Sequence, residues 1–117
     1  MNLEEIINKV MRIADHHGLD EQILQCSEEC AELTVALSKL RRGLSGKYPH
    51  IGVESARCNV AEECGDVIIM LTQIMYLAGI SEESVFNFIV EKVNRELERI
   101  KNEKKINHLA NMQKSRS

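Results

Sequence analysis

Two acidic hexapeptides, Glu28-Glu29-Cys30-Ala31-Glu32-Leu33 and Glu62-Glu63-Cys64-Gly65-Asp66-Val67, repeat each other in register within strongly apolar surroundings. At the same offset Cys26 matches Val60, Leu37 matches Leu71 and Leu40 matches Ile74, so the repetition reaches beyond the acids. In the first copy Cys26, Cys30, Leu33, Leu37 and Leu40 recur at steps of four and three, and in the second Val60, Cys64, Val67, Leu71, Ile74 and Ala78 do the same. Both patterns are apolar helix seams. At roughly 100° per residue, Glu29 and Glu63 are expected at the seam's edge, with Glu32 and Asp66 further round. Two such helices packed seam to seam gather four carboxylates, which repel one another and are expensive to desolvate. A cation resolves that conflict, and an oxygen-only ligand set suits the hard ions Mg²⁺ or Mn²⁺. The competing reading leaves every acid on a solvated helix face.

Composition narrows the fold. The 117 residues suit one domain, and 44% hydrophobic content is enough for a core. Only 3% of residues are aromatic, with no Trp and a single Pro, which disfavours a β-sandwich and predicts an all-α helical bundle of about four helices. A net charge of -3 gives no broad footprint for nucleic acid or an anionic membrane. The N-terminus lacks the basic start and apolar core of a secretory signal, and the longest apolar run, Val67 to Leu71, is too short to span a bilayer. A soluble, cytoplasmic protein is expected. Cys26, Cys30, Cys58 and Cys64 read as small buried thiols, since an i,i+4 pair is not the usual zinc spacing.

The first helix is expected from Leu3 to His16, with Asn2 and Glu5 as a capping box, Gly18 beyond its end and a buried stripe of Leu3, Ile6, Val10, Ile13 and His17. The second begins after Asp20 as N-cap and ends at Gly43; the third spans about Glu54 to Ala78, closed by Gly79. The fourth starts after Ser81 with Phe86, Ile89, Val93, Leu97 and Ile100 as its stripe. A domain of residues 1–104 is expected, followed by a flexible polar tail, residues 105–117. Between helices two and three the stretch Arg41-Arg42-Gly43-Leu44-Ser45-Gly46-Lys47-Tyr48-Pro49-His50 is either a grip for a nucleotide or a solvated loop; it lacks P-loop spacing. Lys92, Arg95 and Arg99 form one basic face on the fourth helix, which is either a phosphate contact or ordinary solvated surface.

With E-x-x-E as Glu29-Cys30-Ala31-Glu32, E-x-x-D as Glu63-Cys64-Gly65-Asp66 and a basic stretch Lys92-Val93-Asn94-Arg95 on a later helix, the chain resembles the MazG-like all-α nucleoside triphosphate pyrophosphohydrolases over about residues 20 to 100. The resemblance implies that Glu29, Glu32, Glu63 and Asp66 ligate Mg²⁺ and carry catalysis, and that Lys92, Asn94 and Arg95 contact the triphosphate. It implies hydrolysis of (d)NTP to (d)NMP and pyrophosphate. The chain departs from the family in having Gln25 where a Lys is common, a long spacer between the motifs and a loosely matching basic stretch. Glu28 or Glu62 either orients the attacking water or faces solvent.

Two other classes compete. Ferritin-like carboxylate proteins use Glu-x-x-His motifs, and none of His16, His17, His50 or His108 follows a motif acid at i+3. A non-enzymatic helical interaction module would use the acids as a partner surface. Val67-Ile68-Ile69-Met70-Leu71 and Ile74-Met75-Tyr76-Leu77-Ala78 make helix three apolar nearly all round, so a homodimer or higher homo-oligomer is expected to complete the bundle.

Overall fold

The structure, a computed structural model, describes residues 1–116. The helices are α1 (Leu3–His17), α2 (Leu19–Leu44), α3 (Val53–Ala78) and α4 (Glu82–Arg116), and no strand occurs among the described residues. The fold is all-α, as composition predicts. The chain divides into two compact units, Met1–Ile80 and the segment from Ser81 onward.

Local chemistry sets most of the helix ends. Asn2 Oδ1 accepts a hydrogen bond from the Glu5 N–H at 2.9 Å, capping α1. Gly18, at φ 85°, both closes α1 and precedes α2, so Asp20 lies inside the first turn of α2 instead of capping it. There it still opposes the positive end of the helix dipole. Gly79 ends α3 in the left-handed conformation, φ 67°, that glycine adopts without a Cβ penalty. Gly43 does not terminate α2, which runs on to Leu44. Its use is in packing: a Cβ there would stand 2.9 Å from Ile51 Cγ2, so the missing side chain admits the buried Ile51 against the helix.

The pairing of α2 with α3 organises the first unit. On α2, Gln22, Glu29, Ala36 and Gly43 follow a seven-residue spacing, with Cys26, Leu33 and Leu40 interleaved, and every one is buried or half-buried. On α3 the same holds for Ala56, Glu63, Met70 and Leu77, interleaved with Asn59, Asp66 and Gln73. This seam is rotated from the expected one: Cys30, Leu37 and Leu71 are exposed, and Glu29 and Glu63 stand within the seam instead of at its edge. At one end Gln22 Nε2 donates to Gln73 Oε1 at 2.7 Å, while at the other Gly43 meets Ile51, so the helices run antiparallel. That register sets Glu29 opposite Asp66, Glu32 opposite Glu63 and Ala36 opposite Asn59.

The first helix attaches through polar contacts as well as burial. Gln73 Nε2 donates to the Val10 carbonyl at 3.0 Å, and the Tyr76 hydroxyl donates to Asp15 Oδ2 at 3.0 Å. The face of α1 turned from solvent is Ile7, Val10, Met11 and Ala14, with Ala14 fully buried; Leu3, Ile6, Ile13 and His17 from the expected stripe are exposed. The polar anchor Gln73 selects this face, because only a helix presenting Val10 closely enough can satisfy its amide. His17 instead faces Glu21 at 3.3 Å. All four cysteines are free, Cys26 and Cys64 half-buried and Cys30 and Cys58 exposed.

The fourth helix opens with the Ser81 hydroxyl accepting from the Ser84 N–H at 3.1 Å. It then continues unbroken past position 104 to Arg116. Residues 105–116 lack Gly and Pro and include Lys105, Leu109, Ala110, Met112, Gln113, Lys114 and Arg116, all strong helix formers, so the helix extends through the stretch expected to be a tail. Except for half-buried Val85, every described residue of α4 is exposed, including Phe86, Phe88, Ile89, Val93, Leu97 and Ile100. Among the described residues, no helix is long and apolar enough to cross a membrane.

Gln73 is 1% exposed and Gln22 5%, so removing one partner strands the other's polar atoms away from water. Gln73→Leu is expected to lower stability by about 2–4 kcal/mol, since each orphaned buried group costs about 1–3 kcal/mol. The double change Gln22→Leu with Gln73→Leu should lose less than the sum of the two single changes in urea unfolding; simple additivity would show that the amide pair is not coupled.

Candidate metal centre

The rotated seam carries the acids inward. Glu29 and Glu32 are one turn apart on α2, Glu63 faces them from α3, and one oxygen from each of the three lies within 4.8 Å of the others. Glu29 and Glu63 are half-buried and Glu32 is exposed, which leaves the group open on one side. Asp66, opposite Glu29 and half-buried, stands outside this trio of contacting oxygens, yet its charge bears on both Glu32 and Glu63. Three of the four expected ligands are thus gathered, with the fourth beside them.

The electrostatics are uncompensated. The ion pairs seen among the described residues, His17 with Glu21, Arg57 with Glu54 and Arg99 with Glu96, leave all four acids out. The charge of Glu29, with desolvation and Asp66 adding to it, pushes the Glu32 carboxyl above its ordinary range. Glu63 is raised chiefly by desolvation, then by the charges of Glu32, Asp66, Glu29 and Glu62. Most telling are Glu29 Oε2 and Glu63 Oε2, which are inaccessible to solvent and have no hydrogen-bond partner. Orphaned buried carboxylate oxygens are costly, and a divalent cation with oxygen preference would satisfy both.

One supporting residue escaped the sequence reading. Gln25 Nε2 donates to Glu29 Oε1 at 2.8 Å, one turn away on the same helix, which fixes that carboxylate and leaves its other oxygen free. The i,i+4 spacing of Gln25 and Glu29 was the available signal. A shallow cavity of about 320 Å³ adjoins the acids, lined by Glu32 and Glu63 with Ala31, Val35, Ala36 and Asn59.

The remaining sequence candidates are placed differently. Lys92, Asn94 and Arg95 lie exposed on α4, in the second unit, and Arg99 of the same face pairs with Glu96 at 3.1 Å. In the α2–α3 connection the Arg42 guanidinium sits over the Tyr48 ring, 5.9 Å from its centroid, and Tyr48 meets His50 edge-on at 6.2 Å. That segment is folded on itself by ring contacts. Comparison with family models, curated proteins and solved structures found no match.

The raised carboxyls give a signed pH dependence. A group whose folded pKa lies above its unfolded value contributes stability that is complete below the ordinary carboxylate range and is lost as pH rises through the raised value. In EDTA, the parent chain should therefore lose melting temperature relative to Glu63→Gln as pH rises through and above the ordinary carboxylate range, leaving the mutant equal or more stable at neutral pH. If Glu63 were instead half of a structural ion pair, the substitution would strand its partner and the mutant would melt lower at pH 7.

Proposed function

We propose that the chain is a Mg²⁺-dependent nucleoside triphosphate pyrophosphohydrolase acting in the cytoplasm, hydrolysing a (d)NTP to the (d)NMP and pyrophosphate, with Mn²⁺ as an alternative ion. The observation that carries this reading is the pair of buried, unpartnered oxygens on Glu29 and Glu63 beside Glu32, in a cluster outside the ion pairs seen among the described residues. The likeness of the two acidic motifs to the MazG-like enzymes supports the same chemistry. An all-oxygen donor set with no His favours a hard divalent ion over the iron of ferritin-like proteins.

In this reading Glu29, Glu32 and Glu63 bind the ion, with Asp66 completing the set. When bound, Mg²⁺ draws charge from the phosphates and makes water more acidic near neutral pH. Gln25 holds Glu29 in the orientation that presents its free oxygen. Glu62 and Glu28 are both exposed, but only the charge of Glu62 reaches Glu63, so Glu62 is assigned the orientation of the attacking water and Glu28 no role. Water adds to the α-phosphorus, the bond to the bridging oxygen breaks, and pyrophosphate leaves with its electrons. Lys92, Asn94 and Arg95 are the proposed contacts to the triphosphate, in keeping with the family likeness. A homodimer is part of the proposal, because the apolar stripe of α4 and exposed Ile68, Ile69 and Leu71 on α3 leave more hydrocarbon in water than a monomer ordinarily tolerates.

Hydrolysis of a triphosphate panel with Mg²⁺ in ¹⁸O-labelled water should place the label in the monophosphate and release pyrophosphate without orthophosphate. Label appearing in orthophosphate, with a diphosphate product, would refute attack at the α-phosphorus. Glu63→Gln and Glu32→Gln should each lower kcat/KM by about a hundredfold or more, ~2.7 kcal/mol of barrier, and should shrink the rise in melting temperature that Mg²⁺ produces.

A further inference from the structure

The α2–α3 corner holds a second, more polar cavity of about 460 Å³, whose chemically active lining is Lys39, His50, Ser55, Asn59 and Glu62. Asn59 also lines the cavity that contains Glu32 and Glu63, so the two hollows meet at one side chain. We propose that this corner cavity is a phosphate subsite, in which Lys39 receives the tail of a phosphoanhydride whose reacting end lies at the carboxylates. The proposal rests on the reading of those carboxylates as a divalent-cation centre.

Geometry favours Lys39 for this role. It follows Glu32 on α2 by two helical turns, which places it on the same face and about 10 Å further along the axis. Between them Ala36 faces Asn59, so a path along the seam is bordered by small and neutral side chains. Lys39 is exposed and takes part in no ion pair seen among the described residues, so its charge is available to a ligand. His50, the Ser55 hydroxyl and the Asn59 amide supply further donors.

The start of α3 adds to the cation. Gly52 precedes the helix without any side-chain cap, and Gly52, Ser55 and Ala56 all line the cavity. First-turn N–H groups and the helix dipole there favour an anion. Glu62 is the one acid in the wall, a turn nearer the carboxylate centre than Cys58, so the anionic tail belongs at the Lys39 end. A nucleobase fits less well, because such pockets are mostly apolar and aromatic, and here the only ring in the wall is the His50 imidazole.

The test is titration of the full chain with inorganic tripolyphosphate in excess Mg²⁺, alongside melting curves in EDTA and in Mg²⁺. Lys39→Ala should weaken tripolyphosphate binding by about tenfold to a hundredfold, as expected for losing a charge-assisted hydrogen bond. Its Mg²⁺-induced melting shift should stay as in the parent, Lys39→Arg should recover most of the affinity, and Lys9→Ala on α1 should bind like the parent. Unchanged affinity in Lys39→Ala with the Mg²⁺ shift intact overturns the subsite alone. A loss confined to phosphate-free nucleosides makes the cavity a base pocket and overturns it equally. A parent chain with no response to Mg²⁺ overturns the metal centre and, with it, the subsite.

Discussion

The antiparallel register of α2 against α3 is the constraint on which the first unit depends. It is held at one end by the buried amide pair Gln22 and Gln73 and at the other by Ile51 lying on Gly43. A polar pair buried in an otherwise apolar seam is a poor source of stability but a strong specifier of alignment, because every slipped register leaves both amides unsatisfied. The same Gln73 reaches the Val10 carbonyl, so one side chain fixes two helix interfaces. From that alignment follow the facing of Glu32 by Glu63, the hollow beside them and the corner where Lys39 meets the start of α3.

Against this background the acids are the exception to ordinary core chemistry. Seam positions normally carry Leu or Ala, and here Glu29, Glu63 and Asp66 occupy three of them. Among the described residues no arginine or lysine forms an ion pair with them, and two of their oxygens are closed to solvent and without a hydrogen-bond donor. A fold that gathers such a group with no basic side chain paired to it accepts a local loss of stability for a prepared binding geometry, a trade found where binding or catalysis takes precedence over packing.

Much of this was legible in the sequence, and the remainder was hidden for identifiable reasons. The helix class follows from composition and periodicity, and the caps at Asn2 and Gly79 and the convergence of Glu29, Glu32 and Glu63 follow from residue type and spacing. The phase of the seam does not, because counting apolar residues passes over Gln22, Gln73 and Asn59, which are polar yet face inward, and favours Cys30 and Leu37, which are apolar yet exposed. Glycine commonly ends helices, so Gly43 looks like a stop signal in the sequence, whereas its use here is close approach to a residue eight places later in the chain, a contact that only the folded connection reveals. For α1 the stripe was displaced for the same reason as the seam: the anchor that selects its face, Gln73, lies on another helix. Residues 105–116 look like a tail by polarity and form a helix by propensity, and polarity without Gly or Pro does not interrupt a helix.

Because Glu29, Glu63 and Asp66 share one seven-residue grammar with the buried glutamines and Ala36, core and chemistry are written on the same backbone phase. A single-residue insertion or deletion within α2 or α3 would turn everything beyond it by about 100°. It would bury the wrong side chains and disperse the acids in one stroke. Insertions and deletions are therefore tolerable in the connection between Ser45 and Gly52 and at the ends of the helices, while the interiors of α2 and α3 can accept substitution alone.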